Sequence, residues 1–510
     1  MSTNNLSIIQ KPVNNTELLP AITNWNPLIG VMVFKDADIS ALFYYKLGLD
    51  VHEGASTTGT LVAKYRQRRN GYSDDIANNK ARAFFDVRGV MNTQLVNTVY
   101  DQNILGAPFE SIHEVGATAY DEDSDGTPEY YIFSENGNLS EGKTQIGRYT
   151  LNVFESYAAS TSTNVKDIHP STGVATTHFF LRASLPLNTP RFINGSGAVD
   201  TDYIQGVAFA DYQLKSITSK FLSDNPSIAH NYESAATGNQ PIVFIQDNQY
   251  HTLAFLNGET NFNSMPQKFF IRYYNGTTQL NSGFLDNTVA NGGSNPAASS
   301  GETTTNARYL IYFGCGPANL EGFDGGGTNP HKPSNNAGYT HYIIRAFKQD
   351  ATTSQSQEVI FVREDSSCKG FVTRRLAWRN SLGCWDYFNF KMKSVDSTNI
   401  ERNEFSTIQG TFDGSKYRYN DWQRGRSVRA TTAKRTETLN TDFIDEAQAI
   451  LIEKLLMSTD VYVLKQQGVT DYTEPVMVVD KSFIRKTVAN DKKIQYTVKI
   501  EYANNVNTNS

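Results

Sequence analysis

The clearest pattern of apolar and polar positions lies near the end of the chain. Between residues 494 and 502, Ile494, Tyr496, Val498 and Ile500 alternate with polar residues. This period of two predicts a strand with one buried and one solvated face. Just before it, Phe443, Ala447, Leu451 and Leu455 recur at helical spacing, with Thr441 or Asp442 placed to cap the helix. Residues 436–510 are therefore predicted to form a small α+β unit.

Elsewhere the pattern is mostly that of strands. Short runs rich in Val, Ile, Tyr and Phe are separated by Asn, Gly, Ser and Thr, and aromatic residues make up 12% of the 510 residues. These features predict a mainly β protein with several β-sandwich-type domains. The predicted divisions are an extended N-terminal arm (1–24), a β-sandwich domain (25–157), a second β-rich domain (175–287), a flexible linker (288–306), a β domain with an aromatic hairpin (307–435) and the α+β unit (436–510).

The aromatic hairpin spans residues 378–390, with sequence WRNSLGCWDYFNF. Its tight turn contains Gly383, for which we expect a positive φ, and it is flanked by Trp378, Trp385, Tyr387 and Phe388. Aromatic residues around a turn fix register and bury one face of a hairpin. We therefore predict a packed folding core with Trp385 buried; the alternative is an exposed platform for a ligand.

Two segments also carry a resemblance. The sequence GPANL at 316–320 and the hairpin pattern W-x-NSLG-x-WDYF-x-F resemble structural proteins of tailed bacteriophages, particularly marine and Bacteroidetes-type phages. The resemblance implies a virion component of the tail or baseplate, assembled in the host cytoplasm with other virion proteins and as a homo-oligomer. It carries no catalytic residues.

One acidic stretch has the spacing of a calcium loop. Asp121, Asp123 and Asp125 alternate and are followed by Gly126, as at the start of loops whose carboxylates converge on this cation. The twelfth position, where a bidentate Glu is expected, is Ile132. An acidic solvated hairpin loop is therefore the alternative, and no other cofactor is predicted.

Composition narrows the possible partners. The net charge is −6, which argues against a dedicated nucleic-acid binder, although residues 412–435 are locally basic with interleaved aromatic residues. No apolar run approaches the roughly 20 residues needed to span a bilayer. The three cysteines have no regular spacing, so we expect reduced thiols.

We expect a structural protein and not an enzyme, since the chain lacks a Gly-x-Ser-x-Gly elbow. Two alternatives remain: a receptor- or polysaccharide-binding protein at the tail tip, which would use exposed aromatic residues, and a tail-associated glycan hydrolase with a pair of carboxylates.

Overall fold

The computed structural model describes residues 5–10, 19–20, 30–54, 56–68, 77–95, 112–114, 132–135, 146–170, 174–183, 212–233, 238–256, 266, 268–286, 310–321, 329–348, 350–364, 370–423, 425–467, 470–485, 494–504 and 506–509. They divide into two compact units. Unit 1 comprises Met1–Arg363 and Asn380–Trp385, and unit 2 comprises Glu364–Arg379 and Asp386–Ser510. The turn of the aromatic hairpin, Asn380–Trp385, thus belongs to unit 1, while the residues on either side of it belong to unit 2.

The first eighteen strands precede residue 364. They are β1 (Leu6–Gln10), β2 (Leu19–Pro20), β3 (Gly30–Lys35), β4 (Phe43–Glu53), β5 (Leu61–Gln67), β6 (Ala81–Asp86), β7 (Ile132–Glu135), β8 (Ile146–Ala158), β9 (Lys166–Ile168), β10 (Ala175–Leu181), β11 (Ser227–Ile228), β12 (Gln240–Ile245), β13 (Thr252–Leu256), β14 (Lys268–Asn275), β15 (Thr278–Asp286), β16 (Leu310–Gly314), β17 (His341–Phe347) and β18 (Val359–Arg363).

The remaining strands are β19 (Arg374–Arg379), β20 (Trp385–Phe390), β21 (Val395–Ser406), β22 (Thr411–Asp413), β23 (Lys416–Arg418), β24 (Arg426–Asn440), β25 (Val461–Gln467), β26 (Thr470–Val478), β27 (Thr497–Tyr502) and β28 (Val506–Asn509). The helices are α1 (Arg88–Gln94), α2 (Pro317–Glu321) and α3 (Glu446–Met457), with 3-10 turns at Ile112–Glu114 and Pro333–Asn335. The mainly β fold predicted from the sequence is confirmed.

The described strands of unit 1 form four sheets. Their orders are β1-β3-β6; β2-β10-β8-β4-β5, with β9 on β8; β11-β12-β18-β17-β14-β15; and β13-β16-β7. All seven residues of β17 are buried, because its two faces pack into different apolar clusters, one with Tyr342 and Ile344 and the other with Ile343. Phe269 of β14 stacks on Phe313 of β16 at 4.1 Å between ring centroids. Two sheets therefore meet face to face in a β-sandwich.

These pairings differ from the predicted domain boundaries. Strand β14 pairs with β17, and β12 pairs in parallel with β18, so one sheet takes strands from both sides of the predicted 288–306 linker. Likewise β8 pairs with β10 across the predicted end of the first domain, and β24 runs without a break through position 435. For β8, β12 and β14 the reason is physical: each would lose the partner strand on one hydrogen-bonding edge if its domain ended where the sequence predicted.

Two further predicted segments lie largely outside the described residues. Of the predicted arm, residues 5–10 and 19–20 are described, and Leu6–Gln10 pairs antiparallel with β3 as a sheet strand. The predicted linker, 288–306, lies wholly outside the described residues.

Unit 2 is built on one eight-stranded sheet within the described residues, in the order β20-β19-β25-β26-β27-β24-β21, with β28 on β24. Helix α3 packs Leu451, Ile452 and Leu455 into a core with Val498 and Ile500 of β27. The predicted strand and helix are both present. The helix cap differs: Asp445, and not Thr441 or Asp442, accepts the hydrogen bond from the Gln448 amide at 2.8 Å. Among the described residues, no helix combines the length and apolar character needed to cross a membrane.

Candidate functional site

The turn of the aromatic hairpin is organised by one asparagine. Asn380 Oδ1 accepts hydrogen bonds from the amides of Leu382 at 3.1 Å and Cys384 at 2.9 Å. Asn380 Nδ2 donates to the carbonyl of Leu222 at 2.9 Å. Gly383 has φ = +84°, as predicted, in the left-handed region that a Cβ disfavours. The side chain of Asn380 thus closes the turn and ties it to unit 1.

The aromatic residues around this turn are packed and not displayed. Trp378 and Trp385 are buried, so the predicted burial of Trp385 is confirmed, and Tyr387 is buried as well. Phe388 is half-buried against the core of unit 2. Trp385 meets the ring of His113 edge-on at 5.0 Å. The burial fits a folding core; a role for these residues at an interface stays a prediction.

The predicted calcium residues, Asp121, Asp123 and Asp125, lie outside the described residues. Elsewhere in the described part of the chain, no cluster of three or more His, Cys, Asp or Glu side chains is arranged to hold a metal ion. The calcium loop therefore stays a prediction.

The most exposed feature of unit 2 is a ribbon formed by β21 and residues 426–435 of β24, with β28 paired along residues 430–433 of β24. All twelve residues of β21 are exposed. The register pairs Ser406 with Arg426 at one end and Thr398 with Arg435 at the other, with an irregularity after Asn403. We call these paired segments the ribbon. Within the described residues the rest of the ribbon is two-stranded, and an isolated two-stranded ribbon is at best marginally stable in water, so its base and its far end need support.

The base of the ribbon is held by buried polar contacts in unit 2. Glu437 is buried and accepts hydrogen bonds from Tyr502 Oη at 2.5 Å and Arg374 Nε at 2.7 Å. Burial opposes its ionisation, but these hydrogen bonds prevail and hold the pKa of Glu437 below its ordinary value. Two residues before Glu437 on β24, the Arg435 guanidinium lies over the Tyr502 ring, 4.3 Å from its centroid, and it contacts Asp396 at 3.2 Å. These contacts fix the position of the ribbon where it joins the sheet of unit 2.

The far end of the ribbon, residues 407–425, folds back on itself as a small hairpin of β22 and β23; we call this segment the tip. Phe412 and Tyr417 pair across it with ring centroids 5.4 Å apart. The Tyr417 hydroxyl donates to the Gln409 carbonyl, and its ring covers Gly410 so closely that a Cβ there would lie 2.5 Å from a ring carbon. The tip therefore has its own internal packing.

The tip nevertheless displays large apolar side chains. Ile408 is 89% exposed, Phe412 and Trp422 are each 76% exposed, and Tyr419 is 67% exposed. Residues 405–435 also contain seven Lys or Arg against two Asp, a net charge of +5, which leaves −11 for the rest of a chain whose total is −6. Tyr, Trp and Arg are the residue types enriched in protein interfaces.

The positive charge of residues 412–435 was predicted from the sequence, but the exposed strand β21 beside them was not. The signal was present: β21 reads VDSTNIERNEFS, which places polar residues on both of its faces. A strand that is polar on both faces has solvent on both faces, unless a partner covers it.

No known family model matches this chain, and no curated protein is similar to it.

Proposed function

We propose that this chain is a structural subunit of a tailed-bacteriophage virion, in the tail or baseplate, which acts by assembling with other virion proteins. The observation that carries the proposal is the ribbon with its tip, which offers Ile408, Phe412 and Trp422 to solvent. The resemblance of the hairpin at 378–390 to structural proteins of such phages supports the same function.

The exposure of these side chains has a physical consequence. Monomeric soluble proteins rarely expose contiguous apolar patches beyond a few hundred Å². Burial of apolar surface in an assembly is favourable by about 25 cal/mol per Å², and aromatic anchors with nearby Arg supply most of the binding energy in typical interfaces. The tip has these residues on a pre-folded hairpin, which lowers the entropic cost of association.

A second candidate function is recognition of a receptor or polysaccharide at the tail tip. It is favoured by one observation: Tyr419 and Trp422 are exposed just after β23, and flat aromatic faces at the surface suit the stacking of sugar rings. The two functions differ in whether loss of the tip aromatics prevents assembly or only prevents adsorption.

The experiment begins with purified particles from the source culture, banded by density and digested for peptide mass spectrometry. We expect peptides of this chain to co-band with the particles at a constant ratio to other structural proteins. A protein that is absent from the particles, whether monomeric or oligomeric in solution, would contradict the proposal.

Particles are then produced with Phe412→Ala and Trp422→Ala in place of the natural chain. The matched control is Ile484→Ala, since Ile484 is 75% exposed in unit 2 but lies outside the ribbon and tip. The structural function predicts incomplete particles for the tip variants and complete particles for the control. Complete particles that no longer adsorb to cells would favour the second function.

A further inference from the structure

Strand β21 is an edge of the unit 2 sheet within the described residues. It is the last strand in the order of the unit 2 sheet, and within the described residues it pairs with β24 and no other strand. Natural sheets protect their edges by keeping edge strands short, by charged side chains or bulges, or by covering them. At twelve exposed residues, β21 is long for an edge strand. No strand of the described part of the chain pairs with its outer side, which therefore offers its backbone groups to a strand of another molecule.

The apolar residues of β21 are placed symmetrically. Val395, Ile400 and Phe405 are each about half exposed, at 50%, 50% and 44%, and they are separated by five residues on either side of Ile400. The remaining positions are polar or charged. The apolar residues of β21 therefore have the same spacing whether the strand is followed from Val395 or from Phe405.

This symmetry matters for pairing between identical strands. Two copies that pair antiparallel about a two-fold axis place one residue opposite its own copy, and all other pairs are equally spaced from that centre. With Ile400 at the centre, Ile400 faces the partner's Ile400, and Val395 faces the partner's Phe405 at both ends. Each of the three exposed apolar residues then has an apolar neighbour across the strands, at the separation that stabilises sheets.

Neighbouring registers are worse. A centre at Glu401 or Arg402 sets like charges directly opposite each other, which is destabilising. A centre at Asn399 places Phe405 opposite the partner's Lys393, beyond the end of the strand.

The charges agree with the centre at Ile400. In that register Asp396 faces the partner's Glu404, but each already has a basic partner on the same ribbon. Arg435 contacts Asp396 at 3.2 Å, and Arg426 contacts Glu404 more closely. Two acids and two bases therefore meet at each end with no net charge.

We propose that β21 pairs with β21 of a second copy of this chain, antiparallel and centred on Ile400, so that two unit 2 sheets join through their edges. The occupant is a second copy because the apolar spacing and the ion pairs of the strand are complementary to themselves. This pairing does not depend on the proposed function, since a protein of any function could dimerise through this edge.

The first experiment measures self-association by sedimentation velocity over a wide range of concentration. We expect a concentration-dependent dimer for the natural chain. Ile400→Lys should weaken the dimer by about tenfold or more, because it places two like charges opposite each other at the centre. The matched control is Met477→Lys, since Met477 is 54% exposed in strand β26, away from the edge. The dissociation constant of the Met477→Lys dimer should equal that of the natural chain.

The second experiment tests the register without destabilising the strand. In a Cys368→Ser background, with Cys315 and Cys384 buried, Ile400→Cys should form a disulfide-linked dimer on mild oxidation. Val395→Cys and Phe405→Cys should link to each other when mixed, and neither should link efficiently to itself.

A monomer at all concentrations would overturn the pairing, as would a dimer that Ile400→Lys leaves intact or cross-links in any other register. These outcomes differ from failure of the proposed function. A chain found in particles but monomeric in solution contradicts only the edge pairing, and a dimer absent from particles contradicts only the virion function.

Discussion

Asp224 accepts two hydrogen bonds from Ser381, one from its backbone amide at 2.8 Å and one from its hydroxyl at 2.6 Å. The two residues are 157 positions apart in the sequence, and both belong to unit 1. This pair and the hydrogen bond from Asn380 to the Leu222 carbonyl hold the turn of the aromatic hairpin against residues 222–224.

We expect Asp224→Ala to lower the free energy of unfolding by about 1.5–3 kcal/mol, because two donors then lose a charged acceptor. Ser381→Ala should cost about 1 kcal/mol, since the backbone donor remains. A double-mutant cycle measured by chemical denaturation isolates the shared term. Strictly additive losses would show that the pair does not couple the two segments.

Gly383 provides a test of backbone conformation at the same turn. Its φ of +84° makes Gly383→Ala costly by about 1–2 kcal/mol, whereas Asn, which tolerates this region better, should cost less. The control is Gly89→Ala in α1, where a Cβ would meet nothing within 4 Å and Ala is the better helix former. Equal melting temperatures for both Ala variants would contradict the turn assignment.

The elements that the sequence predicted correctly have local causes. The C-terminal strand follows from the strict alternation that ends at Tyr502, and the hairpin turn follows from Gly383 between aromatic residues. Both depend on neighbours within a few positions, where side-chain period and turn chemistry decide the conformation.

The contacts that the sequence did not predict join residues far apart in the chain. The pairing of β12 with β18 joins residues more than a hundred positions apart, and the contact between Asp224 and Ser381 spans more still. No local pattern encodes which strands share a sheet, because many apolar strands of similar period compete as partners. The helix cap was also misplaced, since residues 441–445 contain several side chains able to cap.

Acid should destabilise the protein through His331. Burial, assisted by the charge of Lys332, lowers the pKa of His331 from 6.5 to about 4. Because the folded pKa lies below the unfolded one, the stability is complete above about pH 6.5 and is lost as the pH falls toward 4, where the unfolded chain takes up the proton more readily. The loss should be on the order of 1–3 kcal/mol.

His331→Gln removes this proton uptake while keeping a polar side chain. We expect its melting temperature to fall less than that of the natural chain between about pH 7 and about pH 4.5. Parallel pH profiles for the two proteins would show that His331 is not the titrating group.

The acidic stretch at 121–125 can be tested by calcium addition. If Asp121, Asp123 and Asp125 bind the ion, calcium should raise the melting temperature and a chelator should lower it, by about 2.7 kcal/mol of stability at a hundredfold excess over the dissociation constant. Asp123→Ala should abolish the shift, whereas Asp123→Asn, which keeps a ligating oxygen, should only weaken it. An unchanged melting temperature with the natural chain would leave a solvated acidic loop.

Trp385 distinguishes a folding core from a ligand platform. Its side chain is 2% exposed and contacts His113, so Trp385→Ala should cost about 3–5 kcal/mol, as truncations of large buried aromatics do. The matched control is Trp422→Ala, which removes a 76% exposed side chain and should change the free energy of unfolding by less than about 0.5 kcal/mol. Denaturation of both variants gives the comparison, and particle assembly gives a second readout. A Trp385→Ala protein that folds and assembles normally, in particles that no longer adsorb to cells, would contradict the folding-core role and make receptor binding the better account of this hairpin.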